Sequence, residues 1–499
     1  MHYLSTRGSA NHVSASNAIK SGIAPDGGLF VSSDIVRFSP DEISAMSQLS
    51  YIELATKILS ELLTDYTKEE LSCCTAKAYS KEKFDDDSIA PLYKLNDSVH
   101  ILELWHGPTC AFKDMALQIL PHLLTTAVAK TGEDKKIAIL VATSGDTGKA
   151  ALEGFKNVPG TCIQVFYPQT GVSEIQKLQM VTQDGDNVDV VAVKGNFDNA
   201  QTSVKKIFTD KPFNEELNKN GVVLSSANSI NWGRLAPQIV YYFSAYCSLI
   251  RRGEISVGDK INICVPTGNF GNILAAYYAK CMGLPVNKLI CASNENNILT
   301  DFINTGVYDK NRDFKTTISP SMDILVSSNL ERFLYHATDG DSSVVCKYMN
   351  QLSKDGRYEV DDKLKNIISD TFYGGCCDDT TTVRTIKNIF DEFGYVPDTH
   401  TAVALNVYKQ YVNDTGDSTK TVIASTASPF KFNRSVLSAI CDKTEISTDN
   451  EFELIKILAQ KSNLKIPKSL SGLKNKNIKF NFSSEPDELK NQTKRFLNI

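Results

Sequence analysis

One lysine stands where its amine could do chemistry. Lys113 lies in the segment LWHGPTCAFKDM (Leu104–Met115), after a turn-like His-Gly-Pro-Thr and between Phe112 and Asp114. A lysine amine can form a Schiff base with a carbonyl group, and it becomes a base when burial lowers its pKa. Most lysines are solvated surface charges instead. The segment alone therefore supports a surface lysine about as well as a reactive one.

The strongest single element is a loop that could hold a phosphate, in VPTGNFGNILAAYYAK. An apolar strand ends at Val265, glycines follow at Gly268 and Gly271, and a helix begins near Asn272. Unpaired N–H groups and the helix dipole attract an anion there, and glycine lets it approach the backbone. The loop is neither GxGxxG nor a Walker loop, so a small phosphorylated cofactor fits better than a dinucleotide. A turn that needs glycine only for its shape is the alternative.

A second loop, in TSGDTGKAALEGF, follows the same plan. Thr143, Ser144, Asp146 and Thr147 lie between an apolar strand and a helix, together with two glycines. Small polar side chains and free N–H groups form a cradle for a carboxylate or a phosphate. The alternative is a helix cap, but a cap requires only one such residue. The pattern therefore favours an anion site.

Three other segments carry polar residues next to strands or helices. SANSINWGRLAPQ contains Asn228, Asn231 and Arg234, and an arginine among small polar residues suits a phosphate or an ordinary ion pair. By pattern alone, His400 in PDTHTAVAL is typical of a structural histidine, and Thr426 in STASPFKF is typical of a turn.

Short apolar runs that alternate with helical segments must position these residues. This alternation predicts βαβ units and parallel sheets. The segment 224–246 separates two groups of strands, which indicates two α/β domains, one inserted in the other. Helical spacing after Ser39-Pro40 also predicts a helix in the run 41–63. The predicted domains are an N-terminal domain (1–92), a large α/β domain (93–135 and 225–499, with an insertion at about 309–398) and a smaller α/β domain (136–224).

Composition excludes several classes of function. The 499 residues are 42% hydrophobic and 22% charged, with a net charge of -5 and no basic patch, so nucleic acid and anionic membranes are not expected partners. The 12 cysteines form no CxxC and the 7 histidines no HExxH, so we expect no metal site. Without a signal peptide or a membrane-length apolar run, the sequence predicts a soluble cytoplasmic protein.

Taken in order, these motifs resemble the threonine synthase family of pyridoxal 5′-phosphate (PLP) enzymes. The resemblance runs from YLSTRG and APDGGLF nearly to the C-terminus, and it looks like the longer form of fungi and many bacteria. It implies the fold of type II PLP enzymes, with two parallel-sheet α/β domains and an N-terminal α+β unit. The motifs that carry it are ELWHGPTCAFKDMALQ, ATSGDTG, NSINWGRLAPQ, VPTGNFGN and DTHTAVAL.

The resemblance implies a role for each matched residue. Lys113 looks like the catalytic lysine that binds PLP covalently, and Thr426 matches the residue whose hydroxyl faces the pyridine nitrogen. The residues implied around the cofactor phosphate are Gly268, Asn269, Phe270, Gly271 and Asn272. The residues implied to bind substrate are Ser144, Asp146, Thr147, Asn228 and Arg234.

The implied reaction converts O-phospho-L-homoserine and water to L-threonine and phosphate. We expect a monomer or homodimer. One departure from the family pattern keeps an alternative open: TASPFKF has Ser428 where histidine is common and Phe430 where alanine is common. Related phospholyases release 2-oxobutyrate, ammonia and phosphate from the same substrate. A PLP-binding protein without catalysis and a nucleotide-binding module are further alternatives.

Overall fold

The chain folds into an N-terminal unit and two α/β units, each built on its own sheet. A computed structural model describes residues 1–8, 12–170, 172–195, 197–442, 444, 446 and 448–499, without the side chains of 197 and 198. The elements of the N-terminal unit are β1 (Tyr3–Ser5), α1 (Ala15–Ser21), β2 (Phe30–Ser32), α2 (Pro40–Met46), α3 (Tyr51–Leu62) and α4 (Lys68–Ala78).

The predicted helix start at Ser39-Pro40 is confirmed, but the run 41–63 forms two helices. Ser39 caps α2, and Pro40 is its first residue. Ser50 accepts a hydrogen bond from the backbone of Glu53, whose side chain bonds back to the backbone of Ser50. This capping box begins a second helix, so the run of apolar residues at helical spacing is divided between α2 and α3.

The middle of the chain contains the predicted alternation of strands and helices. Its elements are β3 (Leu92–Lys94), β4 (Val99–Glu103), α5 (Asp114–Leu117), α6 (Leu120–Lys130), β5 (Lys136–Ala142), α7 (Asp146–Phe155), β6 (Thr161–Pro168), α8 (Glu174–Val181), β7 (Val188–Val193), α9 (Phe197–Thr209), α10 (Lys211–Lys219) and β8 (Val222–Ser225).

The rest of the chain is longer and richer in helix. Its elements are α11 (Trp232–Arg251), β9 (Ile261–Pro266), α12 (Gly271–Cys281), β10 (Val286–Ser293), α13 (Ile298–Thr305), β11 (Val307–Asp309), α14 (Leu330–Ala337), α15 (Ser342–Lys354), β12 (Arg357–Glu359), α16 (Asp362–Thr371), β13 (Phe372–Cys376), α17 (Asp379–Phe393), α18 (Thr399–Thr415), β14 (Thr421–Ser425), α19 (Asn433–Ile440), α20 (Glu451–Ser462), α21 (Lys468–Ser471), β15 (Phe482–Ser484) and α22 (Leu489–Leu497).

Two larger sheets form the frame of the two α/β units. One has the strand order β15-β7-β6-β5-β8, and all its neighbours are parallel. The other has the order β13-β10-β9-β14-β4-β3, and only β3 runs antiparallel to its neighbour. The late strand β15 completes the first sheet, although the domain bounds predicted above assign residues 225–499 to the other unit.

The topology places the candidate loops at the carboxyl ends of parallel strands: β9, β14 and β4 share one edge of the six-stranded sheet, and β5 belongs to the five-stranded sheet. The carboxyl ends of parallel strands lie on one side, where open α/β sheets bind their ligands. The loop after β5 begins at Thr143, the loop after β9 at Thr267 and the loop after β14 at Thr426. The segment that carries Lys113 follows β4, which pairs with β14.

Helix α11 lies in a continuous apolar core. Helix α11 is buried over most of its length, and its first residue, Trp232, is fully buried. The ring of Trp232 packs edge-on against Tyr3 of the N-terminal unit, with 5.2 Å between ring centroids, and against Tyr278 of α12 at 5.4 Å. One core therefore joins the N-terminal unit to the larger α/β unit. Over the described residues, no helix combines the length and the apolar character that crossing a membrane requires.

Candidate active site

The segment that carries Lys113 is tied along its length to the end of β14. The N–H of Leu104 donates to the carbonyl of Ser425 at 3.0 Å, and the N–H of Phe112 donates to the carbonyl of Thr426 at 2.8 Å. A backbone bridge also pairs Ala111 with Ala427. Lys113 therefore lies directly beside the loop that contains Thr426.

The turn before Lys113 is held by a buried carboxylate. Asp114 begins α5, but its side chain turns back and accepts hydrogen bonds from the N–H and the hydroxyl of Thr109, both at 2.7 Å. Burial raises the pKa of Asp114 to about 6. A Cβ at Gly107 would lie 2.6 Å from the side chain of Asp114, so the turn requires glycine there. This packing fixes the backbone from which Lys113 extends.

The amine of Lys113 lies among polar groups, at the end of a half-buried side chain. Its Nζ lies 3.4 Å from the Oγ of Ser321 and 3.8 Å from a carboxylate oxygen of Asp146. Burial lowers the pKa of Lys113 to about 8; Asp146 opposes this shift, and the charges of Lys431 and Arg234 add to it. A substantial fraction of this amine is therefore neutral near physiological pH, as a nucleophile or a proton acceptor must be.

Asp146, at the start of α7, is the centre of the charge network. Its carboxylate lies 2.5 Å from the Nζ of Lys431 and accepts a hydrogen bond from Gln176 at 2.9 Å. Although burial opposes ionisation, Lys431 and Lys113 hold the pKa of Asp146 well below its usual range. Two lysines thus share one carboxylate, and this excess of positive charge suits an anionic ligand.

Lys431 is a candidate functional residue that the sequence did not mark as one. It is fully buried, and its Nζ donates to the carbonyl of Thr109 at 3.0 Å, in the turn before Lys113. Its apolar neighbours Phe430 and Phe432 gave no signal of charge chemistry. Only the fold brings this lysine to Asp146, since the two residues lie 285 positions apart in the chain, at 431 and 146.

The glycine-rich loop after β9 turns its larger side chains away from the site. Phe270 has a positive φ of 63°, and its ring packs in the core against Phe333 and Phe372. The side-chain oxygen of Asn272 accepts a hydrogen bond from the hydroxyl of Tyr241 at 2.8 Å. The loop therefore has backbone N–H groups at the start of α12 to offer a phosphate.

The two ends of this loop differ in the space around their glycines. A Cβ at Gly268 would lie 2.6 Å from the backbone oxygen of Ser321, whereas a Cβ at Gly271 would have its nearest neighbour at 3.5 Å. Asn269 accepts a backbone hydrogen bond from Asn329 at 3.1 Å through its carbonyl. The segment around 321–329 therefore packs directly on the loop and limits the space beside Gly268.

Arg234 is buried, and its charge helps to lower the pKa of Lys113. Its Nη1 donates to the carbonyl of Ala227 at 2.5 Å, and its Nε has no hydrogen-bond partner within the described part of the chain. Burial lowers the pKa of Arg234 to about 10. Asn231 caps α11 by accepting from the N–H of Gly233, and half-buried Asn228 precedes it. Arg234 thus has an N–H group available for an anion.

Ser321 and His400 add a contact that the sequence did not predict. The Nε2 of His400 accepts a hydrogen bond from the N–H of Ser321 at 3.1 Å, and its Nδ1 lies 2.8 Å from Asp398. Ser321 belongs to the predicted insertion, where no motif marked it. His400 therefore holds the residue whose hydroxyl lies next to Lys113.

The residues that depart from the family pattern lie behind this site. The hydroxyl of Ser428 is buried and has no hydrogen-bond partner in the described ranges. The backbone N–H of Ser428 donates to the carbonyl of Cys110 at 3.1 Å. Phe430 packs in an apolar cluster with Ile175 and Leu437. Both positions support the backbone of the site from the core.

These groups together fit a ligand that carries a carbonyl and a phosphate. The amine of Lys113, with its lowered pKa, suits a carbonyl, and the glycine loop, whose Gly268 has no room for a side chain, suits a phosphate. The unpartnered Nε of Arg234 and the excess positive charge around Asp146 would suit a second anion.

Comparisons with known proteins show what this chain is similar to. Two family models match: "Threonine synthase N terminus" over residues 2–79 and "Threonine synthase, C-terminal" over residues 401–491. Threonine synthase-like 1 of Pongo abelii is 41% identical over 435 residues, which cover 85% of this chain and 58% of that protein. Threonine synthase of Methylobacillus glycogenes is 37% identical over 456 residues, 89% of this chain and 93% of that protein.

Solved structures include a full-length match. PLP-bound threonine synthase from Brucella melitensis has a TM-score of 0.88 at 33% identity, with 100% of both chains covered. This likeness confirms the predicted fold class. The chain spans about 58% of the length of the threonine synthase-like 1 proteins that it matches.

Proposed function

Because this chain belongs to the threonine synthase family, we propose that it is a PLP-dependent lyase that converts O-phospho-L-homoserine and water to L-threonine and phosphate. The observation that carries the proposal is the position of the Lys113 amine between the loop with Asp146 and the loop with Gly268. Desolvation lowers the pKa of this half-buried lysine to about 8. The substrate is a small molecule, and the proposed setting is the cytoplasm, with the chain active as a monomer or homodimer.

Three parts of the chain would hold the cofactor. Lys113 would bind its carbonyl carbon covalently, the backbone of 268–272 would hold its phosphate, and the hydroxyl of Thr426 would face its ring nitrogen. When bound, PLP supplies an electron sink next to the α-carbon of the substrate. A neutral hydroxyl such as that of Thr426 would not drive the ring nitrogen into its charged form, as a carboxylate would.

The substrate carries a dianionic phosphate and a carboxylate, which require two further anion sites. We assign one to the start of α7, where Ser144 and Thr147 flank Asp146 near free backbone N–H groups. The other is the segment of Asn228 and Arg234, where the Nε of Arg234 is buried without a partner among the described residues. The surplus positive charge of Lys113 and Lys431 over Asp146 favours both.

Lys113 is also the proposed proton carrier. As a free amine, Lys113 would accept the proton from the substrate α-carbon and pass it on, accept the proton from the β-carbon and deliver it to the γ-carbon once phosphate has left, and return a proton to the α-carbon after water has added its hydroxyl at the β-carbon. A pKa near 8 allows the amine both to accept and to release a proton.

A product assay tests the proposal. Purified protein supplied with PLP and O-phospho-L-homoserine should release L-threonine and phosphate in equal amounts. A phospholyase is the second candidate, because Ser428 and Phe430 differ from the pattern typical of the family. Phosphate accompanied by 2-oxobutyrate and ammonia, without threonine, would replace the proposal by that candidate. No phosphate release would contradict both.

The substrate-phosphate role of Arg234 has its own test. If its guanidinium binds that phosphate, Arg234→Ala should raise KM for O-phospho-L-homoserine. An unchanged KM would show that another residue binds it.

A further inference from the structure

A small cavity lies behind the start of α7, with a polar lining that the proposed reaction does not use. Its volume is about 130 Å³, and it is bounded by α7, α8 and the segment around α21. We call it the tail cavity. The residues that line it and carry polar groups are Lys149, Glu153, Gln179, Ser469 and Lys476.

The amide of Gln179 is the feature that indicates a ligand. The residue is only 2% exposed, and neither its Nε2 nor its Oε1 has a hydrogen-bond partner among the described residues. A buried amide without partners costs free energy, because it has lost its bonds to water. A ligand that satisfies it must offer both an acceptor for the Nε2 and a donor for the Oε1.

The charged groups of the tail cavity favour an anion. The buried Nζ of Lys149 lies 2.9 Å from a carboxylate oxygen of Glu153, and exposed Lys476 adds a second ammonium at the rim. The lining thus carries two positive charges and one negative charge. Burial lowers the pKa of Lys149, and the charge of Lys476 adds to this shift, as expected for two cations that share one space.

We propose that the tail cavity binds hydrogen phosphate. Its unprotonated oxygens would accept hydrogen bonds from Gln179 Nε2, Ser469 and the lysines, and its P–OH would donate to Gln179 Oε1 or to Glu153. The surplus positive charge favours this anion over a zwitterionic amino acid of similar size.

This site is separate from the two phosphate sites of the proposed reaction, but it adjoins the same helices. Lys149 follows Asp146 by three residues on α7, and Gln179 follows Gln176 by three residues on α8. Gln176 donates to Asp146. A bound ion would therefore connect α7 and α8 one turn beyond the contact that holds Asp146.

Thermal unfolding of the PLP-loaded protein tests the proposal, with inorganic phosphate titrated against chloride at constant ionic strength. Phosphate at about a hundredfold excess over its Kd should raise the midpoint of the native protein by roughly 2–4 °C. Gln179→Leu, which keeps the side-chain size, should lose this rise. Arg234→Met, which alters the proposed substrate site, should keep it.

Two further measurements separate hydrogen phosphate from other ligands. Sulfate has no donor at neutral pH and leaves Gln179 Oε1 unsatisfied, so it should bind roughly tenfold more weakly. Lys476→Met, at the exposed rim, should weaken phosphate binding several-fold without loss of stability, which covers the case in which Gln179→Leu fails to fold.

Three results would overturn the proposal. A rise that persists in both Gln179→Leu and Lys476→Met, or that disappears in Arg234→Met, would locate phosphate at the substrate site only. No rise in any protein would mean that the cavity holds only water. A rise caused by glycine and not by phosphate would assign the cavity to a zwitterion. These readouts do not depend on turnover, so they remain valid if the proposed reaction fails its own assay.

Discussion

The loop 143–147 and the loop 267–272 both join a parallel strand to a helix, yet they face the site with different parts of the chain. In the first, the side chain of Asp146 contacts Lys431 and Lys113, and the hydroxyl of Thr143 accepts from the N–H groups of Gly145 and Gly148 at 3.0 and 2.9 Å. In the second, the side chain of Phe270 lies in the core. We therefore expect the loop 143–147, the side-chain loop, to act through its side chains, and the loop 267–272, the backbone loop, to act through its N–H groups.

This difference decides which substitutions each loop can tolerate. A loop that acts through charge depends on the identity of a few side chains, and its partners can lie far away in sequence, as Lys431 does. A loop that acts through backbone N–H groups depends on shape, so an added methyl group matters more than a lost polar one. Lys113 lies between them, within reach of Asp146 and of Ser321, which packs on Gly268.

The largest effect should come from removing the amine between the two loops. Lys113→Ala should abolish the absorbance of the lysine-bound cofactor near ~410–430 nm and lower turnover by roughly a thousandfold or more. Visible absorbance and threonine formation provide the measurement, and exposed Lys219→Ala is the matched control. Normal turnover in Lys113→Ala would remove Lys113 from the chemistry.

The next largest effect should come from the side-chain loop. Asp146→Asn leaves buried Lys431 and half-buried Lys113 without their counter-charge, which should cost about 3–5 kcal/mol of stability. Because Asp146 raises the pKa of Lys113, its removal should also lower that pKa further below about 8. The neutral amine would then form at lower pH.

Two measurements check this variant, with exposed Asp134→Asn as the control. Urea unfolding gives the loss of stability. The rate at which PLP reconstitutes the cofactor-free protein should rise with pH through about 8 in the native chain and through a lower midpoint in Asp146→Asn. A midpoint that stays in place would show that Asp146 does not set the charge of Lys113.

A smaller effect should come from a methyl group in the backbone loop. Gly268→Ala forces a contact of 2.6 Å with the backbone oxygen of Ser321, whereas Gly271→Ala meets its nearest atom at 3.5 Å. We expect Gly268→Ala to weaken PLP binding by roughly tenfold or more and Gly271→Ala to change it less. Fluorescence titration with PLP measures both, and equal losses would contradict the assigned difference.

The sequence predicted the frame of this site better than its contacts. The positions of the strands that end at Ala142, Pro266 and Ser425 follow from short apolar runs with turn residues after them. Parallel pairing then places the ends of the last two on one edge of their shared sheet, whatever the side chains, while the strand that ends at Ala142 belongs to the other sheet. By contrast, Ser321 lies in a polar insertion without periodicity, and Lys431 lies between two phenylalanines. Their roles depend on tertiary contacts, which local pattern does not encode.

The smallest effect should come from Ser144, which lies in the side-chain loop but does not support it. Ser144 is exposed, while Thr143 makes the hydrogen bonds that shape the loop. Ser144→Ala should therefore leave folding and kcat nearly unchanged and raise KM for O-phospho-L-homoserine by about two- to tenfold, the value of one hydrogen bond. Steady-state kinetics beside Thr143→Val, which should disrupt the loop itself, separates the two roles. If KM is unaltered in Ser144→Ala, the loop binds substrate through its N–H groups alone, and it then resembles the backbone loop more closely than its charged side chain suggests.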